Sequence, residues 1–188
     1  MKRTTKMLVL ALSLGLIGTS CSKATNVANA PPLSKEIEYA FTKENQHPEK
    51  LLIQVINAAQ STLDIAIYSL TNKDITNAII DAKRRGVAVR IITDQSMAHT
   101  QMSQVQLLKQ MKDTGIPIKE NAHSGIMHLK VTIADKSVIT TGSFNYSVAA
   151  ATVNDEVLIS LHSPPLAGEW SDEFGKMWND AVDFRDLK

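Results

Sequence analysis

Between His128 and Asn145 the chain alternates polar and aliphatic residues in two runs. Leu129, Val131 and Ile133 interleave with His128, Lys130 and Thr132, and Val138-Ile139-Thr140-Thr141 follows Asp135-Lys136-Ser137. Alternation with period two marks a half-buried strand, and Asp-Lys-Ser supplies turn residues. The segment predicts a β-hairpin with His128 and Lys130 on one face, since residues i and i+2 of a strand point the same way. If the two strands pair antiparallel, Gly142-Ser143-Phe144-Asn145 returns to His128 and Lys130. One hairpin would then place an imidazole, an ammonium, a hydroxyl and a carboxamide around one point.

Each group suits a phosphate diester. Imidazole titrates near neutrality and can serve as nucleophile or general acid. Lysine is a compact charge that stabilises phosphoryl oxygens. The Ser143 hydroxyl and the Asn145 amide can donate to the same oxygens, and Gly142 permits close backbone approach.

The spacing resembles the phospholipase D superfamily motif, His-x-Lys-x4-Asp-x6-Gly-Ser-x-x-Asn, in its nuclease variant Gly-Ser-x-Asn. The run from Gly115 to Ile118, continuing through His128 and on to Tyr146, is similar to the small bacterial secreted endonucleases of that superfamily. The resemblance implies His128, Lys130, Asp135, Ser143, Asn145 and Glu156 as the candidate catalytic set. Lys130, Ser143 and Asn145 would bind the phosphate, and Asp135 would act architecturally at the turn. Glu156 matches the acidic residue that orients the histidine, with neighbouring Asp155 the competitor, because a one-residue change of register flips the face. The chemistry implied is attack by His128 on phosphorus to give a phosphohistidine, with no metal or other cofactor. Large members carry two copies of the motif. This chain carries one, as the small nucleases do, which implies a homodimer whose single site takes His128 from each subunit.

The N-terminus reads as an export segment over residues 1–30. Lys2, Arg3 and Lys6 precede an apolar run from Met7 to Ile17 that is too short for a stable transmembrane span. Cleavage is expected near Ala24, Ala28 or Ala30. Cys21, the one cysteine, stands where a lipoprotein cysteine would sit, so a lipid anchor is the alternative. Either reading exports the protein from a bacterial cytoplasm, to the periplasm or beyond.

Charge bears on the substrate. The whole chain has 20 basic and 19 acidic residues, or +1. Residues 1–30 hold four of the basic ones and none of the acidic, so residues 31–188 carry 16 against 19, or −3. That is not the bulk profile of a nucleic-acid binder, so a nuclease needs local positive charge. Lys83-Arg84-Arg85, Arg90, Lys109, Lys112 and Lys119 are candidates for a groove, most of them expected to be solvated charges.

Residues 31–188 suit one domain. Strands are expected at 37–41, 63–68, 87–93 and 157–161, and helical stripes at 51–59, at 75–86 behind a cap at 71–74, and at 97–112, with a final helix after 161. The strand–helix–strand run from 63 to 93 predicts a parallel pair. The fold class implied is α/β: a mixed sheet flanked by helices, as in the α-β-α sandwich of phospholipase D-like proteins.

Other residues have plainer readings. His47, His99, His123 and His162 lack the company that His128 has, and His123 could line the cleft. Trp170, Phe174 and Trp178 recur every four residues, as a core stripe or a dimer interface. Tyr68 and Tyr146 could stack on a base, though burial is the plainer use. Asp94, at the end of a strand, could support the site. The reading that results is an exported phosphodiesterase cleaving DNA or RNA. Hydrolysis of phospholipid head groups is one alternative, and a non-catalytic anion-binding protein is another.

Overall fold

The computed structural model describes residues 36–188, so the expected export segment and Cys21 lie outside the described residues. The strands in chain order are β1 (Ile37–Phe41), β2 (Thr62–Ile67), β3 (Ala88–Thr93) and β4 (Ile118–Asn121). They continue with β5 (Lys130–Ala134), β6 (Val138–Gly142), β7 (Val157–His162) and β8 (Phe184–Asp186). The longer helices are α1 (Pro48–Ala58), α2 (Lys73–Arg84), α4 (Met102–Asp113) and α6 (Pro164–Asn179), with short α3 (Gln95–Thr100) and α5 (Val148–Thr152) between them. None is long and apolar enough to cross a membrane.

All eight strands join one mixed sheet in the order β1-β7-β6-β5-β2-β3-β4-β8. β2–β3 and β3–β4 are parallel, and every other neighbouring pair is antiparallel. The alternation of side chains along each strand divides the core in two. Leu63, Ile65 and Ile67 of β2 pack with α1, α2 and α4, while Ala66 of β2, Val131 and Ile133 of β5 and Phe174 of α6 form the second cluster. Strand β2 is buried over five of its six residues, which is why Leu63–Ile67 is so apolar.

The hairpin forms as its turn chemistry demands. Asp135 and Lys136 both take positive φ (53° and 50°), and Ser137 N–H closes the turn on the Ala134 carbonyl at 2.9 Å. Paired left-handed residues match the twist of the flanking strands. Asn72 caps α2, accepting from Asp74 N–H and Ile75 N–H.

Two expectations change, and one strand is added. The strand begins at Lys130 rather than at His128, which lies in the segment leading into β5. The single helix expected over 97–112 is two, broken at Gln101, whose ψ of 95° is extended. The restart turns Gln104 fully inward, where it accepts Leu70 N–H (2.7 Å) and donates to Thr93 Oγ1 (3.1 Å). Strand β8 carries too short a pattern to be read, and its place is fixed by pairing with β4.

Candidate active site

Topology gathers the motif at one end of the sheet. Strands β2, β3 and β6 end there, at Tyr68, Asp94 and Ser143, while β5 and β7 begin there, at Lys130 and just after Glu156. Ile67 pairs with Lys130 and Gly142 with Leu158, so these ends are adjacent. Asp135 sits at the other end of β5, roughly 15 Å away at about 3.3 Å per residue. Its carboxylate accepts the backbone N–H groups of Gln60, Ser61 and Thr62 at 2.7–2.9 Å. Burial pushes the Asp135 carboxyl up, but these three donors outweigh it and hold it below the ordinary range. The motif aspartate therefore anchors the hairpin turn and stands outside the reacting group.

Lys130 is 6% exposed and His128 is exposed. The Lys130 ammonium donates to the His128 carbonyl at 2.9 Å and lies 5.2 Å from the centre of the Tyr68 ring. Tyr68 also meets the His128 imidazole edge to face, with ring centres 4.7 Å apart. Burial lowers the Lys130 pKa, and the negative charge of Glu156 raises it part of the way back. Asp155 is exposed and Glu156 is half-buried. Its hydrogen bond comes from Asn154 Nδ2 at 3.1 Å, and none joins it to His128 among the described residues.

The loop after β6 is tied down along its length. Ser143 N–H and Phe144 N–H both donate to the Val157 carbonyl, at 3.1 and 3.3 Å. Ser143 Oγ accepts Val157 N–H at 3.1 Å, which leaves the hydroxyl proton for another acceptor. Phe144 is fully buried, so its neighbours Ser143 and Asn145 are left outside the core. Asn145 Oδ1 is buried without a hydrogen-bond partner among the described residues; a carboxamide can turn over, so this end can offer an acceptor or N–H donors. Tyr146 anchors the next turn of chain. Its N–H bonds the Ser69 carbonyl, its carbonyl takes Thr71 N–H and Asn72 N–H, and its hydroxyl meets Thr132 Oγ1 at 2.7 Å. Full burial pushes that phenol up to about 12, so it is a neutral structural group, not a base-stacking one.

The proposed basic groove does not assemble. Lys83, Arg84 and Arg85 end α2, at the sheet end away from His128. Arg90 binds Asp64 through two nitrogens (2.7 and 2.8 Å) beneath Phe174 and Trp178. Lys112 and Lys119 donate to the carbonyls of Leu187 and Trp178, and Lys109 pairs with Asp113. Of the other histidines, His123 packs on Phe184 and His99 bonds Glu120 at 2.6 Å. No cluster of three or more metal-ligating side chains occurs among the described residues. Asp94, at the end of β3, accepts Met127 N–H beside His128, and Gln104, which no motif marks, donates to the Tyr68 carbonyl. The signal for Gln104 was its place on the apolar stripe that continues through Leu107, Leu108 and Met111.

A family model described as cardiolipin synthase, PLD-like domain, matches residues 52–178. The chain belongs to this phospholipase D-like family. It is 34% identical over 127 residues to a mitochondrial cardiolipin hydrolase from Chlamydomonas reinhardtii, covering 68% of this chain and 56% of that protein. The chain therefore spans little more than half the length of that relative. Identity to a phospholipase D from Rickettsia prowazekii is 32%, covering 85% of this chain and 83% of the relative. Among solved structures, Nuc from Salmonella typhimurium, a phospholipase D family member, superposes with a TM-score of 0.74 at 29% identity, covering 81% of this chain and 97% of that one.

Proposed function

We propose that this protein is an exported, metal-independent phosphodiesterase that cleaves DNA, and RNA as a second substrate, through a phosphohistidine. One observation carries the reading: an exposed imidazole, His128, beside a buried ammonium, Lys130, at the sheet end that also holds Ser143 and Asn145. A His128 ring nitrogen attacks phosphorus and the bond to the leaving oxygen breaks. His128 of the partner subunit gives that oxygen a proton. It then takes a proton from water, the water oxygen attacks phosphorus, and the phosphorus–nitrogen bond breaks. Lys130, with donors from Ser143 and Asn145, spreads the charge on the phosphoryl oxygens.

The two-subunit site is supported by an apolar face that this chain leaves uncovered. Helix α6 packs mainly on β2, β5, β6 and β8, and beyond it Ile37, Tyr39 and Phe41 of β1 stand exposed, Tyr39 by 62%. A contiguous apolar surface of this kind suits a second copy of the chain, related by a twofold axis. Residues 1–30 would direct export. Palmitate labelling of the unmodified protein against Cys21→Ser separates a lipid anchor from simple cleavage.

A second reading, hydrolysis of phospholipid head groups, has its own support. Ile126, Leu129, Val148 and Val153 are exposed aliphatic side chains flanking the motif segments, and the cations expected for a nucleic-acid groove lie elsewhere. Plasmid nicking and head-group release, measured on one preparation in excess EDTA with His128→Ala alongside, test both. Nicking that persists in EDTA and vanishes in the variant supports the nuclease. Head-group release without nicking shifts the substrate to lipid, and dependence of either activity on a divalent cation rejects the mechanism.

A further inference from the structure

His128 is the group the mechanism most needs to aim, yet neither ring nitrogen makes a hydrogen bond among the described residues, and Glu156 bonds Asn154 instead. The imidazole meets the Tyr68 ring edge to face, with ring centres 4.7 Å apart. The same ring lies under the Lys130 ammonium. We propose that Tyr68 is the positioning residue of this site, fixing the imidazole and the ammonium relative to each other through its ring.

Tyr68 is itself held from both sides. Its N–H donates at 2.9 Å to the carbonyl of Leu129, the residue between His128 and Lys130. Its carbonyl accepts from Gln104 Nε2 at 3.3 Å, and Gln104 is fully buried and bonded also to Leu70 and Thr93. The ring therefore projects from a backbone clamped between the motif segment and α4. The phenol oxygen makes no hydrogen bond among the described residues, so the contact belongs to the ring rather than to the hydroxyl. An aromatic face attracts a cation, and an edge-to-face contact restricts the imidazole's rotation. Both effects favour the arrangement in which a nucleophile and a phosphate-binding charge act on one diester.

The kinetic test rests on the phosphodiesterase reading and uses bis(4-nitrophenyl) phosphate with the full-length protein. Tyr68→Leu should lower kcat about thirtyfold while KM moves less than about threefold, and Tyr68→Phe should stay within about threefold of the unmodified kcat. A folded Tyr68→Leu protein with unchanged kcat, or a Tyr68→Phe protein as impaired as Tyr68→Leu, overturns the proposal. A second arm needs neither turnover nor a folded variant: nuclear Overhauser contacts from the Tyr68 ring to the His128 ring and to the Lys130 ε-methylene in the unmodified protein. Their absence overturns the positioning role. Their presence in a protein that turns over no diester upholds the positioning and removes the phosphodiesterase reading instead.

Discussion

Asp94 Oδ2 accepts the backbone N–H of Met127 at 3.0 Å, one residue ahead of the proposed nucleophile. The other oxygen of this buried carboxylate caps α3 through Met97 N–H, also at 3.0 Å. One side chain thus ties the end of β3 to the segment that presents His128. Asp94→Ala removes both bonds. It should cost about 2–3 kcal/mol in denaturant unfolding and about tenfold in kcat of the folded protein. Asp94→Asn keeps one acceptor oxygen and should fall between. Unchanged kcat in a destabilised Asp94→Ala protein would confine the residue to stability.

Turnover should depend on Lys130 remaining an ammonium. Burial brings its pKa below the usual 10.5, and Glu156 works against that shift. The alkaline limb of kcat should therefore start below pH 10.5, and Glu156→Gln should move it lower, because removing a negative neighbour disfavours the charged form. Unfolding would not mimic this. The folded state sheds this proton before the unfolded chain does, so the group's contribution to stability grows as pH rises through the folded value. A pH–rate profile in which Glu156→Gln leaves the limb in place, or raises it, would disprove the coupling.

Asp135 makes the opposite prediction, an effect on stability without one on chemistry. Its folded pKa lies below 3.8, so its contribution is fully present above pH 3.8 and is lost as pH falls through the folded value. Asp135→Ala loses three backbone donors' partner at a φ of 53°, and should cost about 2 kcal/mol and flatten the acid side of the stability profile. Thermal melts from pH 2 to 7 read that flattening. The kcat of the fraction still folded should match the unmodified protein; a large drop would return Asp135 to the reacting group.

Much of this arrangement is written in local pattern. Alternation over 129–133 and 138–141 encodes the hairpin, Asp135-Lys136 its turn, and Asn72 the start of α2. The bringing together of Lys130, Ser143 and Asn145 follows from that hairpin, since antiparallel pairing returns the chain to its start. The unread features depend on partners distant in sequence. Nothing near Gln101 marks a helix break, because its purpose is to send Gln104 toward Leu70 and Tyr68, more than thirty residues earlier. Arg84 and Arg85 are legible as charges, but only the direction of β3 shows that they stand at the far end of the sheet. The contact between Tyr68 and His128 spans sixty positions and leaves no periodic trace.

Gly142 leaves no room for a side chain. Its φ is 141°, and a Cβ there would overlap the Val157 carbonyl oxygen, which accepts Ser143 N–H and Phe144 N–H. Gly142→Ala must displace backbone that cannot yield cheaply. It should cost about 3 kcal/mol and lower kcat, since Ser143 moves with that carbonyl. Unfolding curves and kcat on the same samples check it; a normal melt would show that the strand end relaxes freely.

A site on a twofold axis predicts how activity responds to mixed subunits. If each dimer builds one site from two copies of His128, a dimer with one His128→Ala chain has either no nucleophile or no proton donor. After subunit exchange in an equal mixture with the unmodified protein, about one quarter of the dimers hold two intact chains. Activity per total chain should then be about one quarter of the unmodified value, and should vary as the square of the intact fraction across a mixing series. Independent sites give about one half and a straight line. The curve needs only that the subunits exchange, which differently tagged chains report by co-purification. A linear series from fully exchanged subunits would assign complete chemistry to a single chain, and the proton donor would then have to come from that same chain.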